Sequence, residues 1–317
     1  ILDLQPSNSL VNFVVEQGHT LFLVSWKNPT EADGHFTWDG YVEDGVIKAI
    51  EVVKAISKQL KLNVLGFCVG GTLLATALST LANRGDDSMT IVHDTGLDTQ
   101  TSENRQDSNH NHFLEEVSAI AFGAYHPEFD WQWGSAQETQ NTYCGLGSPN
   151  QFMGPTLWPS SLDHYAVENQ NNGNGLLGSH IDMNHESPDG MGIAHDNGNA
   201  YWYFDGYYGE LVYYDFQMDH DTGQDDHSDA IIYRYSDIQL TRDAGIPGHM
   251  ILDKETGILY IADTGASRIL WVNTDDTSTN YQNILDPNWR TNPSTSQKED
   301  LAEYARITGV EWGVLDT

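Results

Sequence analysis

Apolar positions in the first part of the chain fall into two alternating patterns. Leu10, Phe13 and Val14 share one face of a helix that Ser7 can cap and that runs through Gln17. Residues 20–26 follow as a largely apolar run rich in β-favouring side chains, which predicts a buried strand. After Thr37, a second capping residue, Val42, Val46, Ile50, Val53 and Ile56 recur at helical spacing. Residues 62–65 predict another strand, residues 2–4 a strand stub, and residues 73–82 a helix that is apolar on most faces. The order β-α-β-α-β-α predicts parallel strands joined by right-handed crossovers.

Beyond Asp86 the helical period fades. Short apolar runs between Gly, Asn and Asp turns predict strands at 90–93, 117–122, 192–195, 200–204, 210–215, 230–235, 249–252, 259–262 and 268–273. Two of the stretches repeat. Each has a strand, a turn, a strand ending in Asp (Asp205 or Asp263), a Gly turn and a third strand. Radial repetition of such units builds β-propellers. The second copy, Leu259-Tyr260-Ile261-Ala262-Asp263-Thr264-Gly265 followed by Arg268-Ile269, resembles an NHL repeat. That resemblance implies a propeller of about six blades. Three or four are visible here, and residues 310–314 read as the start of another. An unrelated antiparallel sandwich is the alternative.

Charge sharpens the division. The chain has 317 residues and a net charge of −32. Residues 1–86 hold 6 Lys and Arg against 9 Asp and Glu, whereas residues 87–317 hold 8 against 37. Two segments of different origin, 1–86 and 87–317, are therefore expected, with a flexible join near Arg84–Ser88. The acidic part argues against nucleic acid and anionic membrane surfaces as partners. It suits a secreted, salty setting. The longest apolar helix, around Leu73–Leu81, is too short to span a bilayer. The chain starts at Ile1 and reads as an internal fragment. Cys68 and Cys144 are the only cysteines, so no disulfide framework is expected.

Candidate chemistry centres on Gly66-Phe67-Cys68-Val69-Gly70, between the predicted strand and the predicted helix. This is a nucleophile elbow, G-x-C-x-G, with cysteine where hydrolases usually carry serine. The turn would place Sγ at a helix N-terminus, where the dipole favours thiolate. The Val69 amide would then face a developing oxyanion. The alternative is a tight βα turn with a buried cysteine. Residues 1–86 resemble class I polyhydroxyalkanoate synthases through Ile1-Leu2-Asp3-Leu4-Gln5-Pro6, Gln17-Gly18-His19-Thr20, Leu23-Val24-Ser25-Trp26-Lys27-Asn28-Pro29 and Leu65-Gly66-Phe67-Cys68-Val69-Gly70-Gly71-Thr72. The resemblance implies an α/β-hydrolase core in a cytoplasmic enzyme. It also implies that Cys68 carries the growing polyester as a thioester and passes it to a hydroxyacyl-CoA. Residues 1–86 are too few to cover both faces of a full hydrolase sheet. The family's base is a His in a Gly-His-Ile phrase. Gly248-His249-Met250 and Ser179-His180-Ile181 are the nearest phrases here, and both lie in propeller-like sequence. Neither is carried over, no family Asp phrase is found, and catalysis is expected to be incomplete.

The acidic part offers its own candidates. His180, Asp182 and His185 cluster in sequence, and His249 opens the NHL-like repeat. In a propeller, histidines of different blades can converge on one divalent metal, Zn²⁺ or Ca²⁺. Peptidylglycine-amidating lyases are a distant analogue of that layout. His180, His185 and His249 are thus candidate ligands. Surface-turn histidines are the plainer alternative, since the spacing fits no specific metal motif. The run 219–229 holds enough carboxylates for Ca²⁺ but lacks EF-hand spacing, and reads more simply as a solvated acidic loop. Two functional readings stay open. One is an acyltransferase segment of a synthase fused to a propeller. The other is a propeller-based ligand-binding or lyase-like module carrying a chimeric remnant.

Overall fold

Thr37 starts the helical part of the N-terminal region. Its hydroxyl accepts the Gly40 amide at 3.3 Å. Helix then continues through Trp38–Gly40, Tyr41–Ile47 and Lys48–Ser57. The middle section is π-helical, a local widening of the turn. Lys58 ends the helix in the left-handed conformation, at φ 59°. This computed structural model describes residues 9–28, 30, 33–59, 62–66, 69–83, 87–95, 99–140, 153–171, 173–284 and 301–315. The chain divides into two compact units, Ile1–Arg84 and Gly85–Thr317.

The first unit is built on two helices. Val42 and Ile47 from Tyr41–Ile47 pack on Leu73 and Ala77 of the helix Val69–Asn83, with Tyr41 and Val46 alongside. The helix Leu10–Glu16 is capped by Ser9, which accepts from the Asn12 amide at 2.9 Å, and it buries none of its residues. The expected cap at Ser7 and the stub at 2–4 lie outside the described residues. Residues 20–26 and 62–65, expected as buried strands, are irregular and exposed. Leu23 is 62% and Leu65 72% accessible. The physical reason is that a strand needs a neighbour for its amide and carbonyl groups. Among the described residues of this unit there is no strand to provide one.

The second unit is made of strands. β1 (Met89–His93) and β2 (Thr101–Arg105) form a hairpin. β3 (Val117–His126), β4 (Asp130–Gln137), β5 (Thr156–Pro159) and β6 (Asp182–Met183) pair in sequence order as one antiparallel sheet. β7 (Gly190–His195), β8 (Ala200–Asp205), β9 (Glu210–Asp215) and β10 (Ile231–Gln239) do the same in a second. The third holds β11 (Met250–Asp253), β12 (Ile258–Asp263) and β13 (Arg268–Asn273). β14 (Asn280–Asn283) and β15 (Glu303–Thr308) join the outer edge of the second sheet, giving the order β14-β15-β10-β9-β8-β7. β15 runs parallel to β10, Ile231 opposite Glu303. β16 (Trp312–Val314) returns to pair with β13.

The second sheet is the middle layer of three. On β8 successive side chains point to opposite faces. Tyr201 and Tyr203 pack with Leu157 and Ile181 of the first sheet's side, while Trp202 and Phe204 pack with Leu259 and Ile261 of the third. Both faces are covered, so all six residues of β8 are buried. Each such aromatic contributes roughly 1.5–3 kcal/mol on burial. The layers approach closely. A Cβ at Gly192 would run into the backbone carbonyl of Gly248, so this position takes only glycine without a shift of main chain. The sheets stay open, and no closed ring of blades is present among the described residues.

Candidate functional site

In the first unit the elbow segment is partly visible. Cys68 and Phe67 lie outside the described residues, as does Cys144. Gly66 and the helix that begins at Val69 are described. A Cβ on Gly66 would sit 2.5 Å from the Gly70 carbonyl oxygen and 2.7 Å from the Gly71 Cα. Gly66 thus lies directly against the backbone of Gly70 and Gly71, and that close approach is what requires glycine at 66. At Gly70 a Cβ would meet nothing within 4 Å. The Val69 side chain is exposed. Its amide belongs to the first helical turn, where backbone N–H groups have no partner within the helix.

In the second unit, a buried group forms where the segment between β9 and β10 folds back on β6. Three backbone hydrogen bonds hold that segment in place. The His220 amide donates to Ile181 O at 3.0 Å, the Gly223 amide to His180 O at 2.8 Å, and the Leu177 amide to Gly223 O at 2.9 Å. These bonds turn His220 and His227 inward, while Asp221, Asp225 and Asp226 of the same run stay exposed. One donor atom each from Asp182, His220 and His227 then lies within 4.8 Å of the other two. Asp182 is fully buried and its Oδ1 is 3.2 Å from His227 Nδ1. His220 Nδ1 is 2.8 Å from Asp221 O, which fixes the proton on Nδ1 and leaves Nε2 with its lone pair. Asp182 Oδ2 and His220 Nε2 are buried without a hydrogen-bond partner. An unmet buried polar group costs about 1–3 kcal/mol.

Electrostatics follow from burial. Desolvation pushes His227 down to about 3, with His220 adding to the effect. Desolvation likewise lowers His220. It holds His180 well below the usual imidazole range, with His220 and His227 acting in the same direction. The Asp182 carboxyl is pushed well above its ordinary value by burial and by Asp229, Asp219 and Asp226. The imidazoles are thus neutral, the form that binds metal, while the Asp182 carboxyl holds its proton more tightly than usual, a proton that a bound cation would displace.

The sequence-derived ligand candidates are placed as follows. His180 is buried, its ring stacked on Phe113 at 4.0 Å and set edge-on to His220 at 5.2 Å. His185 is buried, its ring edge-on to His227 at 5.4 Å. Both border the group of three. His249 is exposed just before β11 and belongs to no such group among the described residues. Sequence reasoning did not single out His220 and His227 as ligands. Their signal was two histidines interrupting an otherwise acidic run.

No family model matches the chain. Over 86 residues it is 63% identical to the poly(3-hydroxyalkanoate) polymerase subunit PhaC of Cupriavidus necator, covering 27% of this chain and 15% of that protein. Over 87 residues it is 38% identical to the PhaC subunit of Rhizobium meliloti, 27% of this chain and 14% of that protein. Over 73 residues it is 41% identical to the PhaC subunit of Haloferax mediterranei, 23% of this chain and 15% of that protein. The matched stretch is about one-seventh of each relative's length. Among the described residues no helix is long and apolar enough to cross a membrane. A segment amounting to about a quarter of this chain is similar to poly(3-hydroxyalkanoate) polymerases.

Proposed function

We propose that the N-terminal segment is an acyl-transfer unit of the polyhydroxyalkanoate-polymerase type, built on an α/β-hydrolase elbow with Cys68 as nucleophile. The observation that carries it is the packing of Gly66 against Gly70 and Gly71 at the start of the helix Val69–Asn83. It is supported by the 63% identity over 86 residues to a PhaC subunit. In this reading the Cys68 thiolate attacks the carbonyl carbon of a hydroxyacyl-CoA, an Sγ–C bond forms, and CoA leaves as its thiolate. The helix N-terminus favours the Cys68 thiolate, and the Val69 amide donates to the oxyanion of the tetrahedral intermediate. No residue of this chain is assigned as base or as its orienting acid. Acylation is therefore slow and polymer does not accumulate.

The test is incubation of the intact chain with a hydroxyacyl-CoA and, separately, a thiol-reactive acyl analogue. Mass spectrometry of the tryptic peptide 62–84 reads the label. Labelling at Cys68, lost in Cys68→Ala, with no polymer formed, is expected. Labelling at Cys144 alone would remove the reading. Repeated CoA release that depends on Cys68 would mean that a base is present after all.

A second reading rests on the buried Asp182, His220 and His227 group. Under it the acidic, propeller-type second unit is a ligand-binding or metal-dependent module, and the N-terminal segment contributes nothing to its activity.

A further inference from the structure

We propose that Asp182, His220 and His227 bind one divalent first-row transition-metal ion of the Zn²⁺ class, which fastens the segment between β9 and β10 to β6. The argument is independent of the acyl-transfer reading.

Four observations carry it. One donor atom from each residue lies within 4.8 Å of the others, so a single ion can reach all three after small side-chain adjustments. Two of the polar atoms in the group, Asp182 Oδ2 and His220 Nε2, are buried and unmet by any hydrogen bond of the chain. An ion would satisfy both at once. The donor set is one carboxylate and two imidazoles. Zn²⁺ and its first-row neighbours accept that set, whereas Ca²⁺ requires six to eight oxygens. Finally, the ligands are held in place without the ion. The bonds His220 N to Ile181 O and Gly223 N to His180 O fix the segment that carries His220 against the strand that carries Asp182. Little conformational entropy is then lost on binding. His220 Nδ1, bonded to Asp221 O, sets the orientation of its ring, the usual outer-shell arrangement of a metal-bound histidine. The exposed Asp221, Asp225 and Asp226 of the same segment raise the local concentration of cations.

The ion would cross-link two sheets, since Asp182 belongs to the first and the 216–230 segment leads into the second. Its effect is therefore on stability. The test uses the intact chain, stripped with chelator and returned to Zn²⁺, Co²⁺ or Ca²⁺. Co²⁺ should bind one to one with visible d–d absorption, displaced by Zn²⁺. At Zn²⁺ about a hundredfold above its dissociation constant the melting temperature should rise by roughly 5–10 °C, and Ca²⁺ should leave it unchanged. Asp182→Asn and His220→Gln should each weaken Zn²⁺ at least about a hundredfold, while His249→Gln should not change it. Failure of the stripped chain to take up Zn²⁺ or Co²⁺, undiminished binding by His220→Gln, or a larger shift with Ca²⁺ would overturn the proposal. If the variants do not fold, the wild-type chain decides. In imidazole ¹⁵N NMR spectra Zn²⁺ should shift the His220 ring-nitrogen resonances and leave those of His249 in place, and unchanged His220 resonances at saturating Zn²⁺ would sink the idea.

Discussion

The two units of this chain dispose of their apolar residues in opposite ways. The second stacks three sheets, and strands such as β8 are covered on both faces. Among its described residues the first places only Val42, Ile47, Leu73 and Ala77 in its core, while Leu23, Val24, Trp26, Val64 and Leu65 remain exposed. Yet the 20–26 stretch of the first unit is as rich in apolar side chains as many strands of the second. Apolar sequence becomes core only where a second layer exists to cover it. β8 has a layer on each side, and the 20–26 run has no neighbouring strand among the described residues.

That contrast can be broken by four measurements. Trypsin should digest the first unit about tenfold faster than the second and leave a resistant fragment close to Gly85–Thr317, because a four-residue core gives little protection against local opening. A single cooperative unfolding transition, with both units cut at one rate, would contradict it. Trp158→Ala comes next. Trp158 is fully buried, stacked on Trp133 at 5.6 Å, and its Nε1 donates to Ser135 Oγ at 3.0 Å. Its loss should cost about 3–5 kcal/mol in the denaturant midpoint of the second unit.

A pH series sharpens the comparison further. Burial pushes His112 down to about 3, against an ordinary value of 6.5. Between those values the unfolded chain binds a proton that the folded chain refuses. Stability from this group is complete above pH 6.5 and is lost as pH falls, by about 1.4 kcal/mol per unit. His227, His180 and His220 act in the same direction, so in denaturant titrations of the second unit from pH 7 to 4 His112→Gln should reduce the slope by about 1.4 kcal/mol per unit without removing it. The smallest effect belongs to the first unit. Leu65→Ser, at a position 72% exposed, should change stability by no more than about 0.5 kcal/mol. A loss of 2 kcal/mol or more would mean that Leu65 is covered in solution.

Legibility followed the same division. The strands 210–215 and 268–273 are formed at the residues their alternation and flanking Gly and Asp turns indicate. Asp130–Gln137 and Thr101–Arg105 were missed because their residues are largely polar, yet they pair all the same. In β4 the polar Gln132, Ser135 and Gln137 are buried. Ser135 and Gln137 take part in hydrogen bonds within the layer, which a hydrophobicity pattern cannot show. The close approach at Gly66 fits the glycine expected there, since the Gly70 carbonyl and Gly71 Cα leave no space for a Cβ, whereas Gly70 has open space around it. The buried group was half readable. His180, Asp182 and His185 are close in sequence, but His220 and His227 arrive only through the backbone pairing of 220–223 with 177–181. Such pairing is a property of the folded chain, and sequence spacing does not encode it.

The parallel pairing of β15 with β10 bears on how this protein is made. Within β3–β6, within β7–β10 and within β11–β13, every strand after the first pairs with the strand synthesised just before it. The outer edge of β10 has to wait for residues 303–307, and β13 waits for β16. During translation the second and third sheets would both stand with an open edge, the arrangement that invites pairing between nascent chains. Closing so long a loop is also slow. Final assembly of the second unit therefore waits until residues 303–314 have left the ribosome, and chains that stop short of residue 303 should be found with chaperones or in aggregates.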